Sequence, residues 1–100
     1  MKVIWSPRAL ERVDELAQRI AQDDLDAALR CVTELFDVVE RLETFPASGR
    51  VVPEVGISRI REIVFGGYRI FYKIGEQVEA LTVRHGSQLV RSDELDSDQT

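Results

Sequence analysis

Along the first half of the chain the apolar side chains recur at intervals of three and four. Leu10, Val13, Leu16, Ala17, Ile20 and Ala21 fall on one helical face, with Arg12, Glu15, Gln18, Arg19 and Gln22 elsewhere, so the spacing predicts an amphipathic helix. Ser6 as N-cap and Pro7 at the first helical position mark its start, because the serine oxygen answers an orphan amide and the proline lacks one. Lys2 to Trp5, just before, is a short run of strand-forming residues. Asp23-Asp24 interrupts, and either aspartate can cap the next segment. Leu25, Ala28, Leu29, Val32, Leu35, Phe36, Val39 and Leu42 then repeat the stripe over about five turns. So short a break joins the helices as an antiparallel hairpin.

Thr44 to Ile57 holds Pro46, Gly49, Pro53 and Gly56 and reads as a loop. Beyond it the period changes to alternation. Arg61–Phe65, Tyr68–Ile74 and Val78–His85 read as three strands, joined at Gly66-Gly67 and Gly75-Glu76 by tight two-residue turns. With both turns two residues long, Val64 lies opposite Arg69 and Glu62 opposite Phe71, while Arg69 faces Thr82 and Phe71 faces Ala80. That register sends Ile63, Tyr68, Ile70, Tyr72, Leu81 and Val83 toward the helices. Glu62, Arg69, Phe71, Lys73, Thr82 and Arg84 collect on the opposite face, which no helix covers. The expected architecture is α+β, of order β-α-α-β-β-β: an N-terminal strand and an antiparallel helical hairpin packed on an antiparallel β-sheet. Residues 1–91 form one domain, and 92–100 read as a frayed acidic tail.

Composition narrows the function. The 100 residues are 44% hydrophobic and 31% charged, ordinary for a globular domain. No run approaches the ~20 apolar residues of a membrane span, and the first residues are too short an apolar stretch for a signal-peptide core, so a cytoplasmic location is expected. Cys31 is the single cysteine, which leaves no intramolecular disulfide or cysteine-paired zinc site and reads as a reduced thiol in a helix. No cofactor or metal motif is evident. The net charge is −5, distributed as −4 over residues 1–45, +3 over 46–91 and −4 over 92–100. An acidic chain is poorly suited to gripping many phosphates, so direct high-affinity nucleic-acid binding is not expected, but its strand region is locally cationic. The uncovered face, extended by Arg61, therefore forms a candidate partner-binding surface of Arg61, Glu62, Arg69, Phe71, Lys73, Thr82 and Arg84. Forked guanidinium donors and an apolar ring there suit an anionic or protein partner. The alternative is an ordinary solvated sheet face carrying weak cross-strand ion pairs. Arg50 and Arg61 either brace the loop or extend the cationic patch.

Several segments in this order resemble the RelE/ParE superfamily of bacterial type II toxins, its ParE branch most closely. They are Trp5-Ser6-Pro7-Arg8-Ala9, Leu42-Glu43-Thr44-Phe45-Pro46, Gly49-Arg50-Val51-Val52-Pro53-Glu54, Arg61-Glu62-Ile63, Gly67-Tyr68-Arg69-Ile70-Phe71-Tyr72 and Val83-Arg84-His85-Gly86. The resemblance implies a partner antitoxin that wraps and neutralises the toxin. It also implies one of two activities, since ParE-like toxins poison DNA gyrase and RelE-like toxins cut mRNA on the ribosome.

Metal-free RNA cleavage needs a base for the 2′-hydroxyl, an acid for the leaving oxygen and cations for the phosphorane. The RelE pattern implies an arginine at Arg69, another after the last strand, where Gln88 stands, and a late tyrosine, yet no tyrosine follows Tyr72. A second ribonuclease arrangement in the superfamily implies a glutamate, an arginine and a histidine, matched by Glu54, Arg69 and His85. The predicted register puts His85 on the helix side, opposite Arg69. A gyrase-binding toxin needs no catalytic residue. A third reading is a decayed member without toxicity.

Overall fold

The computed structural model describes residues 1–86, 90 and 92–95. The elements run β1 (Val3–Trp5), α1 (Pro7–Ala21), α2 (Leu25–Glu40), β2 (Arg50–Val51), β3 (Ile60–Phe65), β4 (Tyr68–Ile74) and β5 (Val78–His85). Short 3-10 turns lie at Arg41–Glu43, Pro46–Ser48 and Ser92–Leu95. The strands make one sheet in the order β1-β5-β4-β3-β2. The meander is antiparallel as expected, but β1 joins β5 in parallel, Val3 beside Val78 and Trp5 beside Ala80, so the sheet as a whole is mixed. Arg50 and Val51, read as loop, add an edge strand by pairing with Glu62 and Arg61. No helix among the described residues is long and apolar enough to cross a membrane.

The helix starts follow the local chemistry. Ser6 Oγ accepts from Ala9 N at 3.0 Å and donates to Leu81 O at 2.9 Å, so one buried hydroxyl caps α1 and ties it to β5. Asp24 caps α2 through Ala27 N at 3.1 Å. Ala9, Val13 and Leu16 of α1 and Ala28, Leu35 and Val39 of α2 are buried with Leu42. Trp5 packs its ring 4.6 Å from that of Phe36. The stripe is not buried throughout: Leu10, Leu25 and Leu29 remain 46%, 63% and 60% exposed. α2 joins the sheet core through its later turns, and its first turns project past it.

The first hairpin has the predicted register, with Phe65 opposite Tyr68 and Gly66 at φ 58° as the first turn residue. The second departs from it twice. Ile74 pairs with Val78, a loop one residue longer than expected, and Leu81 is then extruded as a bulge between the pairs Tyr72–Ala80 and Phe71–Thr82. Beyond Leu81 the two one-residue slips cancel in side-chain parity. Thr82 and Arg84 thus keep their predicted face, although Arg69 sits opposite Arg84 and Phe71 opposite Thr82. Leu81 itself moves away from the helices.

The second face is also not open, which corrects the sequence expectation. Phe71 and Leu81 form a second core with Val52, Ile60, Val90 and Leu95. Phe71 and Thr82 are 0% exposed and Glu62 1%. Part of the cover is the segment expected to fray: Glu94 and Leu95 are buried on the sheet, and only 96–100 of that tail lies outside the described residues. An alternating pattern shows which strand residues share a face, but not what a distant loop or chain end lays over it.

Phe71→Ala is expected to cost about 3–5 kcal/mol of unfolding free energy. A ring on a solvated face would change it by no more than about 0.5 kcal/mol. Urea denaturation separates these outcomes.

Candidate functional site

Arg69 stands at the centre of the predicted surface, and β3 and the loop after β2 surround it with carboxylates. Its Nη1 and Nη2 donate to Glu54 Oε2 and Oε1 at 2.9 and 3.0 Å, while Nε and Nη2 donate to Glu62 Oε1 and Oε2 at 3.0 and 2.5 Å. Its Cζ lies 4.8 Å from the Phe71 ring centroid. Arg50 adds a contact to Glu62 Oε1 at 3.2 Å. Both carboxylates thus engage the guanidinium in two-point hydrogen bonding, and the Glu62 side chain is fully buried.

Protonation follows from this geometry. Hydrogen bonds donated to Glu62 and then to Glu54 raise the Arg69 pKa further, so the guanidinium stays charged. The hydrogen bond from Arg69 pulls the Glu54 carboxyl below its ordinary value of 4.5, more than desolvation raises it.

The loop that carries Glu54 is held from the sheet. Tyr72 Oη donates to Pro46 O at 2.7 Å and accepts from Gly49 N at 2.9 Å, and burial raises its pKa. A side chain at Gly49 would bring its Cβ to 2.5 Å from both Tyr72 Oη and Glu62 O, so glycine is required by close approach. Arg61 Nε donates to Ser58 O at 2.9 Å and Nη1 to Gly49 O at 3.0 Å. Arg61 thus braces the loop, one of the two roles its position in the sequence offered.

The remaining predicted residues are distributed around this centre. Lys73 lies 3.7 Å from Glu79, its cross-strand neighbour. Thr82 Oγ1 donates to Glu94 Oε2 at 3.3 Å, and Arg84 also binds Glu94. The RNase candidates separate: Glu54 and Arg69 meet, but His85 pairs with Tyr68 and sets its ring edge-on, 5.7 Å between centroids. Tyr68 and Arg69 are successive strand residues and project to opposite faces. Gln88 lies outside the described residues. What stays accessible is a depression of about 390 Å³ lined by Arg50, Glu54, Val64, Arg69 and the Gly66-Gly67 turn. Glu62 appeared in the sequence as one of a surface set, and its buried role became visible only in the structure, where Arg50 and Arg69 meet its carboxylate.

The fold and this braced loop describe a small α+β scaffold, and comparison with known proteins makes the class specific. The sequence model for the ParE toxin of type II toxin–antitoxin system, parDE, matches residues 3–90. Over 89 residues the chain is 42% identical to "Putative toxin Y4kP" of Sinorhizobium fredii, covering 87% of this chain and 90% of that one. It superposes on a solved structure of the chromosomal ParDE TA system from P. aeruginosa with a TM-score of 0.71 at 16% identity, over 85% of this chain and 95% of the other. The chain belongs to the ParE toxin family of type II toxin–antitoxin systems.

Two measurements test the charge cluster. Glu62→Gln is expected to cost about 3–5 kcal/mol, because it breaks a buried pair. Arg50→Ala, at the exposed end of the cluster, is expected to cost less than about 1 kcal/mol. Glu54 has a depressed folded-state pKa, so its contribution is present above 4.5 and is lost as pH falls through that lower value. The stability gap between wild type and Glu54→Gln, read from urea midpoints, should therefore be largest near neutrality and close in acid; a gap independent of pH would contradict the clasp.

Proposed function

We propose that this toxin acts in the cytoplasm by binding and poisoning DNA gyrase, and that a cognate antitoxin neutralises it. The observation that carries the choice of binding over RNA cleavage is the engagement of Arg69, four of whose five N–H donors are directed at Glu54 and Glu62. A phosphorane-stabilising cation must turn donors toward the substrate, and here Glu54 and Glu62 already occupy the fork. Glu54 is a poor general base as well, since an effective one titrates near the working pH and this carboxyl is held below its ordinary value. His85, on the opposite face, does not complete the set. A protein-binding toxin needs only a stable surface, which the clasped loop supplies.

For the antitoxin, the exposed Leu25 and Leu29 offer an apolar anchor one helical turn apart on α2. A segment that folds on binding would lay an apolar face there.

The test is to induce the chain alone in a host bacterium and pulse-label DNA and protein synthesis within minutes. The expected result is early loss of DNA synthesis with translation intact, relieved by co-expressed antitoxin and relieved less when Leu25 and Leu29 are both changed to Asp. Early loss of translation would overturn the gyrase reading and restore the ribonuclease. No effect on either would favour a decayed member. Arg69→Ala is expected to weaken gyrase affinity, whereas in a ribonuclease it would lower turnover at intact ribosome affinity.

A further inference from the structure

Where α1 passes the end of β5 lies a second hollow, which shares only Arg84 with the candidate partner surface. It has a volume of about 110 Å³ and is lined by Arg12, Glu15, Arg19, Tyr68, Arg84 and His85. Leu16 and Val83 complete its wall. That is room for a few water molecules or one tetrahedral oxyanion, but not for a nucleobase with its sugar.

The charge in this corner runs against that of the chain. The molecule as a whole is −5, yet among the described residues three guanidiniums line one small hollow with a single carboxylate, Glu15. Glu94 stands behind them, bonded to Arg84 and 3.9 Å from Arg12. Three cations against two carboxylates leave a surplus of one before the imidazole is counted. Arg19 forms no ion pair among the described residues, and the Arg12–Glu15 contact, at 3.0 Å between residues i and i+3, is an exposed pair of small value. In addition, Arg12 Nε is buried with no hydrogen-bond acceptor among the described residues. A buried guanidinium donor left unanswered by the protein costs free energy that an anionic acceptor would recover.

We propose that this hollow is a binding site for a single phosphate group, either the free ion or the terminal group of a small phosphomonoester, held by Arg12 and Arg19 of α1, with Arg84 of β5, whose Nε and Nη2 already donate to Glu94, contributing charge. Guanidinium forks match the geometry of a tetrahedral oxyanion. The three arginines come from two elements already fixed by the Ser6 bonds to β5, so the site needs little reorganisation to accept its ligand.

The test uses the full chain, labelled with ¹⁵N. Inorganic phosphate is titrated at constant ionic strength against chloride, and the arginine Nε–H signals are followed. The expected result is a saturable shift of the Arg12 and Arg19 signals. Arg19→Gln, an exposed position that leaves the core untouched, should weaken binding about tenfold, the equivalent of one charge-assisted hydrogen bond. Arg30→Gln, on α2 and outside the hollow, should leave affinity unchanged. Ribose 5-phosphate in a parallel titration distinguishes the sources: tighter binding than inorganic phosphate assigns the site to an ester, equal or weaker binding to the free ion. Absence of a saturable shift with either probe, or equal losses in the Arg19 and Arg30 variants, would overturn the proposal. Neither result bears on gyrase, because the substituted positions, Arg19 and Arg30, belong to the helices and take no part in the Arg69 clasp.

Discussion

Burial of β4 on both faces is the constraint on which the other features depend. Ile70, Phe71 and Tyr72 are consecutive and all 0% exposed, so alternate side chains need separate cores. The helical hairpin supplies one. The other is assembled from Val52 of the loop after β2, Ile60 of β3, Leu81 at the bulge and Val90 and Leu95 near the chain end, pieces far apart in sequence. The described residues form two α-helices and five strands, and they close the second face with a loop and the 92–95 turn.

This double burial explains the charge cluster. Glu62 is 1% exposed on that covered face, and a buried carboxylate must be paired and hydrogen-bonded or it will not remain ionised. Arg69 and Arg50 meet that requirement, and Arg69 in turn reaches out to Glu54 on the covering loop. Tyr72, from the opposite face of the same strand, fixes the start of the loop through Pro46 and Gly49. The central strand thus holds the loop from both of its faces. A cation spent on fastening a loop is a poor candidate for stabilising a reacting phosphate, which is why the same arrangement favours a binding role.

The C-terminal turn has a comparable structural part. Arg8 donates to Asp93 O at 3.2 Å, Arg84 and Thr82 bind Glu94, and Leu95 enters the second core, so residues with an acidic, tail-like composition become cover. Their charges are useful because the sheet beneath presents arginines. Polar composition alone describes the average environment of a segment, and a few well-placed partners can override it.

The sequence by itself determined the first strand, the two helices, the three strands of the meander, their order and the first hairpin, because these rest on local signals: the three-and-four stripe, the Ser6-Pro7 cap, and Gly66 at a turn that needs positive φ. The quoted segments were enough to place the chain among RelE/ParE-like toxins. Tertiary structure alone decided what depends on contacts between distant residues. A β-bulge at Leu81 has no local signature, and its effect is felt through packing on Val52 and Leu95. Parallel pairing of β1 with β5 joins the two ends of the domain, which no periodicity can report. Leu25 and Leu29 fit the helical stripe as well as Leu35 does, yet lie exposed because the stripe is longer than the surface it packs on. For the same reason Glu54, Glu62 and Arg69 were legible as charged residues of interest, but that two carboxylates would close on one guanidinium was settled only by the loop folding back over the sheet.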